Sequence, residues 1–311
     1  MTEHLPAELW SQIFSMACTD GGSTACTLSE VSRYVRTIIL PLQLHNVAII
    51  GPAKMVQFTA LLQSRKYEPN YRRVRHLFLS YLWRGGGWKD SKITKDQYDI
   101  ALRDLLIMTS ENLITLTSTL PQHKVGPESV LYYSFPNLRE LTIHGHLYEP
   151  IPFDRCVPLQ ANFPTLRYLH ILSSPENSHV YTSRASSLTH IRLSSVWRIG
   201  DDLYAAIDNA LQASTDDGTP QPPSPPFLLP HTVKRILIET RSVPLSYRPE
   251  GDDARRGPRM AALQGHNTEG KLVLLEPAIW LRQGRSNSLG LERCDWEDRI
   301  VGGHGCWFEY L

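Results

Sequence analysis

The chain has 311 residues, 41% of them hydrophobic and 20% charged, with a net charge of +1. That length is enough for a sizeable core and for two units of ordinary domain size. The balanced charge excludes the long-range field that marks nucleic-acid or acidic-membrane binders, so neither partner is expected. Cys18, Cys26, Cys156, Cys294 and Cys306 are odd in number and widely spaced, a poor match to a disulfide scaffold. The start, Met1 to Pro6, lacks the basic and apolar regions of a leader. The best apolar stretch, Ile38 to Ile50, is broken by Pro41, Gln43, His45 and Asn46. It is too short and too polar to cross a bilayer. The expectation is a soluble protein of the cytoplasm or nucleus.

From the first residues onward, helical pieces come first. Leu5, Leu9, Ile13 and Phe14 form an apolar stripe with Trp10 beside it, and Pro6 suits a first helical turn. Thr19 to Ser23, with two glycines, reads as a turn. A second helix is predicted from about Cys26 to Leu40, carrying Leu28, Val31, Tyr34, Val35 and Ile38 and ending at Pro41. Leu44 to Ile50 reads as a short strand, and Pro52 opens a helix with Met55, Phe58, Thr59 and Leu62 on one face. The domain reading is a helical module over 1–50, a helical junction over 51–73 and a repeat domain over 74–311. A basic run where the junction meets the repeats holds Arg65, Lys66, Arg72, Arg73 and Arg75, with Tyr67 and Tyr71 interleaved. A solvated face, an acidic protein partner and nucleic acid are the readings open for it.

From residue 74 a new pattern takes over, apolar-x-x-apolar-x-apolar. Its copies start at Val74, Leu113, Leu138, Leu166, Leu188 and Val233, and the second copy lacks its last apolar residue, having Ser118. The starts lie 39, 25, 28, 22 and 45 residues apart, and the three middle intervals are those of leucine-rich repeats. The fourth and sixth positions fall on one face of a short strand. One such strand does not bury that face alone, so stacking in parallel is expected. Phe135-Pro136 and Phe163-Pro164 precede two copies. Return helices are predicted around Tyr98 to Leu106, started by Thr94 or Lys95, and around Leu203 to Leu211, capped by Asp201. Loops are expected near 213–230 and 244–270, where proline or mixed charge dominates. Lys271 to Glu276 reads as a further strand, and Trp296, Trp307, Phe308 and Tyr310 as an aromatic C-terminal cap on the open end of the stack. The fold class is therefore α/β, with a helical module ahead of an irregular solenoid built on a parallel sheet.

No constellation for chemistry converges. Cys294, His304 and Cys306 lack a fourth ligand for a tetrahedral metal site, and the two cysteines are expected to be buried thiols. His144 and His146 have no carboxylate partner in view. Gly85-Gly86-Gly87, followed by Trp88-Lys89-Asp90, lacks the pattern of a phosphate loop. Neither an enzyme nor a cofactor is expected. Trp83 and Trp88, flanking those glycines, are candidate substrate contacts. So are Arg139 and Arg167, at the second position of successive segments, and Arg192, at the fifth, all three read as outward-facing and as a candidate phosphate patch.

The N-terminal stretch resembles an F-box. The matching residues are Leu5-Pro6-Ala7-Glu8-Leu9-Trp10, Ile13-Phe14 and Leu28-Ser29-Glu30-Val31-Ser32-Arg33-Tyr34-Val35-Arg36. They cover about 40 of the 311 residues. With the polar insert between the halves and the leucine-rich segments behind, the layout is similar to F-box-like proteins of mushroom-forming fungi. The resemblance implies a substrate-recognition subunit of a ubiquitin ligase. Its F-box binds a Skp-type adaptor, and through it a cullin, while the repeats hold an unidentified protein substrate. Carried over by position, the adaptor-binding residues are Leu5, Pro6, Leu9, Ile13, Phe14, Leu28, Val31 and Tyr34. Some of these must pack inside the module, and the sequence does not divide the two sets. The alternative is a leucine-rich protein-binding scaffold with a degenerate F-box and no ligase role.

Overall fold

The computed structural model describes residues 5–64, 73–80, 93–119, 130, 133–144, 163–172, 178–196, 201–212, 229–240, 252–275 and 288–307. The protein is a mixed α/β chain that divides into two compact units. One comprises 1–121 with 135–138 and 286–311, and the other 122–134 with 139–285.

The first unit opens with α1 (Ala7–Ala17), α2 (Ser23–Val31) and α3 (Arg33–Ile39). A small core of Phe14, Cys18, Ala25, Ile39 and Leu42 joins them, with Trp10, Leu28, Val35 and Ile38 packed around it. The turn between α1 and α2 requires glycine. Gly21 has φ +76°, and a Cβ there would lie 2.8 Å from that of Ala48. The Asp20 carboxylate accepts bonds from the Thr24 amide and hydroxyl and so ties down the first turn of α2. The single helix predicted over Cys26 to Leu40 is instead two. Ser32 is extended, at φ −160°, and its hydroxyl accepts from the Val35 amide, so it caps α3 where the sequence pattern ran through.

Next come β1 (Asn46–Ile50), α4 (Pro52–Ser64), β2 (His76–Ser80), α5 (Lys95–Thr109) and β3 (Thr115–Thr119). β1 pairs with β2 and β2 with β3, all parallel. Residues 46–50 thus belong to a sheet rather than to the helical module to which the sequence reading joined them. α5 starts in a capping box, the Thr94 hydroxyl accepting from the Gln97 amide while the Gln97 side chain accepts from the Thr94 amide. α4 and α5 pack together, with the Thr59 hydroxyl donating to the Ala101 carbonyl at 3.1 Å.

The second unit holds β4 (Glu140–His144), β5 (Tyr168–Leu172), α6 (Ser178–Thr182), β6 (His190–Val196), α7 (Asp201–Gln212), β7 (Arg235–Thr240), α8 (Asp252–His266) and β8 (Leu272–Leu275). Its five strands pair in sequence order and in parallel. α8 occupies most of the 244–270 stretch that was expected to be a loop. Its mixed charge is that of an amphipathic helix. Leu263 on this helix is fully buried. Arg259 meets Asp201 at 2.5 Å and lies over the Tyr204 ring, and His266 meets Asp208 at 2.6 Å. Asp201 is therefore the first helical residue of α7 and an ion-pair partner rather than a cap. Residues 213–228, expected to be a loop, lie outside the described residues.

Six strands, β2 to β7, start at the third position of the six segments. The first-position residues, Val74 to Val233, are buried beneath them, as are Phe135 and Phe163. Pairing places like on like, with Leu77 opposite Leu116, Leu141 opposite Leu169, and Leu169 opposite Ile191. This is the continuous apolar row that alternation along parallel strands produces.

Finally α9 (Ser288–Ile300) and a 3₁₀ turn at Gly305–Trp307 return to the first unit. α9 packs on β2 and β3, and Trp296 is buried with its ring 5.7 Å from that of Phe78. Phe78 points away from Leu77 and Leu79, so the tail covers a sheet face. It does not cap an end of the stack. Phe308 and Tyr310 lie outside the described residues. Among the described residues, no helix is long and apolar enough to cross a membrane.

Candidate protein-docking surfaces

α1 has two apolar sides with different fates. Trp10 and Phe14, stacked at 5.2 Å, turn inward with Cys18. Leu9 and Ile13 remain 43% and 40% exposed, and Met16 reaches 70%. Spacings of four and three residues put these three on one stripe. Leu5 is exposed just ahead of the helix, and the Pro6 carbonyl accepts from the Leu9 and Trp10 amides, starting the helix. At the α2–α3 break, Val31 and Tyr34 are 66% and 51% exposed. They flank the extended Ser32, and the Arg36 guanidinium donates to the Ser29 carbonyl at 2.7 Å across that break.

The structure thus divides the eight residues that sequence reasoning left together. Phe14 and Leu28 pack in the core of the helical unit. Leu5, Pro6, Leu9, Ile13, Val31 and Tyr34 present themselves to solvent. Met16 was missed, although its place three residues beyond Ile13 was readable from the helical period. Scattered exposed apolar residues are ordinary, but a continuous helical stripe is informative.

The other predicted contacts separate as well. Arg139 and Arg167 stand one residue ahead of β4 and β5, exposed, and line a groove with Lys234, one residue ahead of β7. Arg192 does not join them. It lies inside β6, and its guanidinium meets the Glu239 carboxylate at 2.9 Å and the Ser194 hydroxyl at 2.9 Å, both in largely buried surroundings. Arg192 keeps its place on the face opposite Ile191 and Leu193, but a guanidinium held in a largely buried ion pair is not a free contact for a partner, so that part of the expectation is corrected. Trp83 and Trp88 lie outside the described residues.

Ionisable groups in the first unit are tuned by burial. Desolvation, aided by the Asp20 charge, pushes the Cys18 thiol up to about 11, so it stays protonated. Burial first, then Arg75, lowers His45 and His76 to about 4. Burial and Asp295 raise Glu292 to about 7. Among the described residues no group of three His, Cys, Asp or Glu is placed to hold a metal ion. Cys306 is buried, as expected, but Cys294 is exposed.

Compared with known proteins, the chain matches no family model, no curated protein and no solved structure.

Proposed function

We propose that this chain is the substrate-recognition subunit of a Skp-cullin-F-box ubiquitin ligase. The helical module of α1 to α3 docks on a Skp-type adaptor, which links it to a cullin. The irregular leucine-rich segments then form a solenoid that holds a protein substrate. On this reading the chain does no chemistry of its own.

The observation that carries the reading is the exposed stripe of Leu9, Ile13 and Met16, with Leu5, Val31 and Tyr34, on a module whose core is already filled from the other side. Apolar anchors framed by polar residues are what a protein–protein docking site requires. The stripe also coincides with residues of the F-box resemblance, leaving Phe14 and Leu28 to hold the module together.

The test is a binding assay of the full chain with a purified Skp-type adaptor, beside the double variant Leu9→Gln and Ile13→Gln. The expected result is a stable wild-type complex and at least a hundredfold weaker binding by the variant. Its circular dichroism should be unchanged, because both side chains are solvent-facing. If an adaptor competent for another F-box does not bind the wild-type chain, the ligase reading fails and a leucine-rich binding scaffold takes its place.

A further inference from the structure

At the start of the second unit's strands the backbone forms a regular ladder. The Arg139 carbonyl accepts from the Arg167 and Tyr168 amides. The Arg167 carbonyl accepts from those of Thr189 and His190, and the Thr189 carbonyl from those of Lys234 and Arg235. Arg139, Arg167, Thr189 and Lys234 are therefore four successive rungs, and three of the four are cations. Together they line a groove of about 710 Å³ in which, among the described residues, no acidic side chain takes part.

The groove's polar groups are unequally committed. The Ser187 hydroxyl donates to the Pro164 carbonyl at 2.7 Å, that of Thr189 to the Arg167 carbonyl, and that of Thr232 to the Leu188 carbonyl. The Tyr168 and His190 rings are stacked on each other, centroids 4.6 Å apart. What remains is the two guanidinium groups and the ammonium. None of the three has a hydrogen-bond or ion-pair partner among the described residues. Neighbouring rungs lie roughly 4.8 Å apart, and like charges facing each other at that spacing repel. In a chain with almost as many acids as bases, Arg192 found its carboxylate and this pair has none among the described residues. An outside anion with several oxygens would relieve the repulsion and accept both forks.

We infer that this groove binds a phosphorylated segment of a partner protein, with the phosphate across Arg139 and Arg167 and a second acidic group at Lys234. A phosphoserine or phosphothreonine carries nearly two negative charges and three acceptor oxygens, which suits two adjacent arginines. Lys234 stands two rungs beyond Arg167, roughly 10 Å away, and an extended segment covers that span in about three residues. The ligand pattern is thus a phosphorylated residue with an acid three positions away. Three cations on a ladder this short do not make the long basic track that a nucleic-acid backbone needs, and the lining rings among the described residues are already stacked on each other. The groove's ligand is independent of adaptor docking. If the ligase reading holds, this is the class of its substrate.

The test uses the full chain and fluorescein-labelled eight-residue alanine-glycine peptides with a central phosphoserine and a glutamate three residues to either side. The controls are the unphosphorylated peptides, a ten-residue polyuridylate and inorganic phosphate. The expected result is binding at least tenfold tighter with the phosphate than without, weakening below pH 6 as the phosphate takes up a proton. The double variant Arg139→Gln and Arg167→Gln should lose at least tenfold. Lys234→Gln should lose about threefold, only for the peptide whose glutamate faces it. Lys54→Gln, on the other unit, and the Leu9→Gln, Ile13→Gln variant should bind as wild type. The inference is overturned if phosphorylated and plain peptides bind alike or not at all, or if the arginine variant keeps its affinity. Polyuridylate binding at least as tightly would assign the groove to nucleic acid instead, and inorganic phosphate binding as tightly would reduce it to a free-phosphate site.

Discussion

Two regions of this chain space their large apolar residues with equal regularity and bury them very differently. In α1, Leu9, Ile13 and Met16 recur at helical intervals and stay open to solvent. In the sheets, Leu77, Leu116, Leu141 and Leu169 recur once per strand and are fully buried. A strand in a stacked parallel array has an identical neighbour beside it and helices over its face, so its apolar row is closed as the fold forms. A short helix has a narrow buried side, and in α1 Trp10 and Phe14 already occupy it. The stripe on the opposite side adds nothing to the internal core. The difference teaches that regular apolar spacing identifies a surface to be covered without saying whether the chain covers it itself.

The sharpest way to break this comparison is to remove one leucine from a buried row. Leu169→Ala, between Leu141 and Ile191 in register, is expected to lower stability by about 3 kcal/mol, from lost burial and an unfilled cavity. Urea denaturation would measure it. A loss below about 1 kcal/mol would mean that the row is not the core it appears from its register.

Burial also sets a pH dependence in the first unit. His45 and His76 are held neutral down to about pH 4, whereas in the unfolded chain each takes up its proton near 6.5. The unfolded state therefore binds more protons between those values, and stability falls as pH drops through that window. The slope is at most about 1.4 kcal/mol per pH unit for each histidine. Glu292 opposes this. Its folded value near 7 lies above the ordinary carboxylic value of 4.5, so it favours the folded state below about 4.5 and loses that contribution as pH rises through 7. The urea midpoint should fall from pH 7 to pH 5.5. His76→Gln should flatten that slope, and Glu292→Gln should steepen it. An unchanged slope in His76→Gln would refute the assignment. His76 also contacts the Thr115 hydroxyl at 3.0 Å, so glutamine is chosen to retain a polar partner.

A smaller effect of opposite sign is expected where the apolar row is interrupted. Ser118 holds the sixth position of its segment, where neighbouring strands carry Leu79 and other aliphatic residues. Among the described residues its buried hydroxyl has no hydrogen-bond partner. Ser118→Ala removes the unmatched polar group with little change of volume and should stabilise the protein by about 1 kcal/mol. A destabilised variant would reveal a bond that the hydroxyl does make.

The segments were legible because all but one carry three apolar residues at a spacing that suits a strand in a parallel array, and the exception was visible as Ser118 in place of an aliphatic. The parallel sheet and the helices started by Pro52 and Thr94 followed from the same local signals. Features decided by a distant partner were not legible. Ser32 breaks a helix that the apolar period carries straight through. Residues 252–266 look loop-like until Leu263 finds a core and Arg259 finds Asp201. Arg192 looks as free as Arg167 until Glu239 arrives from a strand 47 residues away. In the helical module, sequence did not divide the apolar residues by side, because Ile13 and Phe14 are adjacent and only packing assigns them to opposite fates.

That last division supplies the smallest stability change and the most direct probe of the comparison. Leu9→Gln with Ile13→Gln exchanges exposed apolar surface for polar surface on a helix whose inner side is untouched. Surface substitutions of this kind move stability by about 0.5 kcal/mol or less, and glutamine is a good helix former. The urea midpoint should therefore stay at the wild-type value while adaptor binding is lost. The companion change Phe14→Ala should do the reverse in order of cause, loosening the module's core first and affecting docking only as a consequence. If the glutamine pair instead lowers stability by as much as Leu169→Ala, the α1 stripe is part of an internal core after all, and the contrast between the two leucine rows disappears.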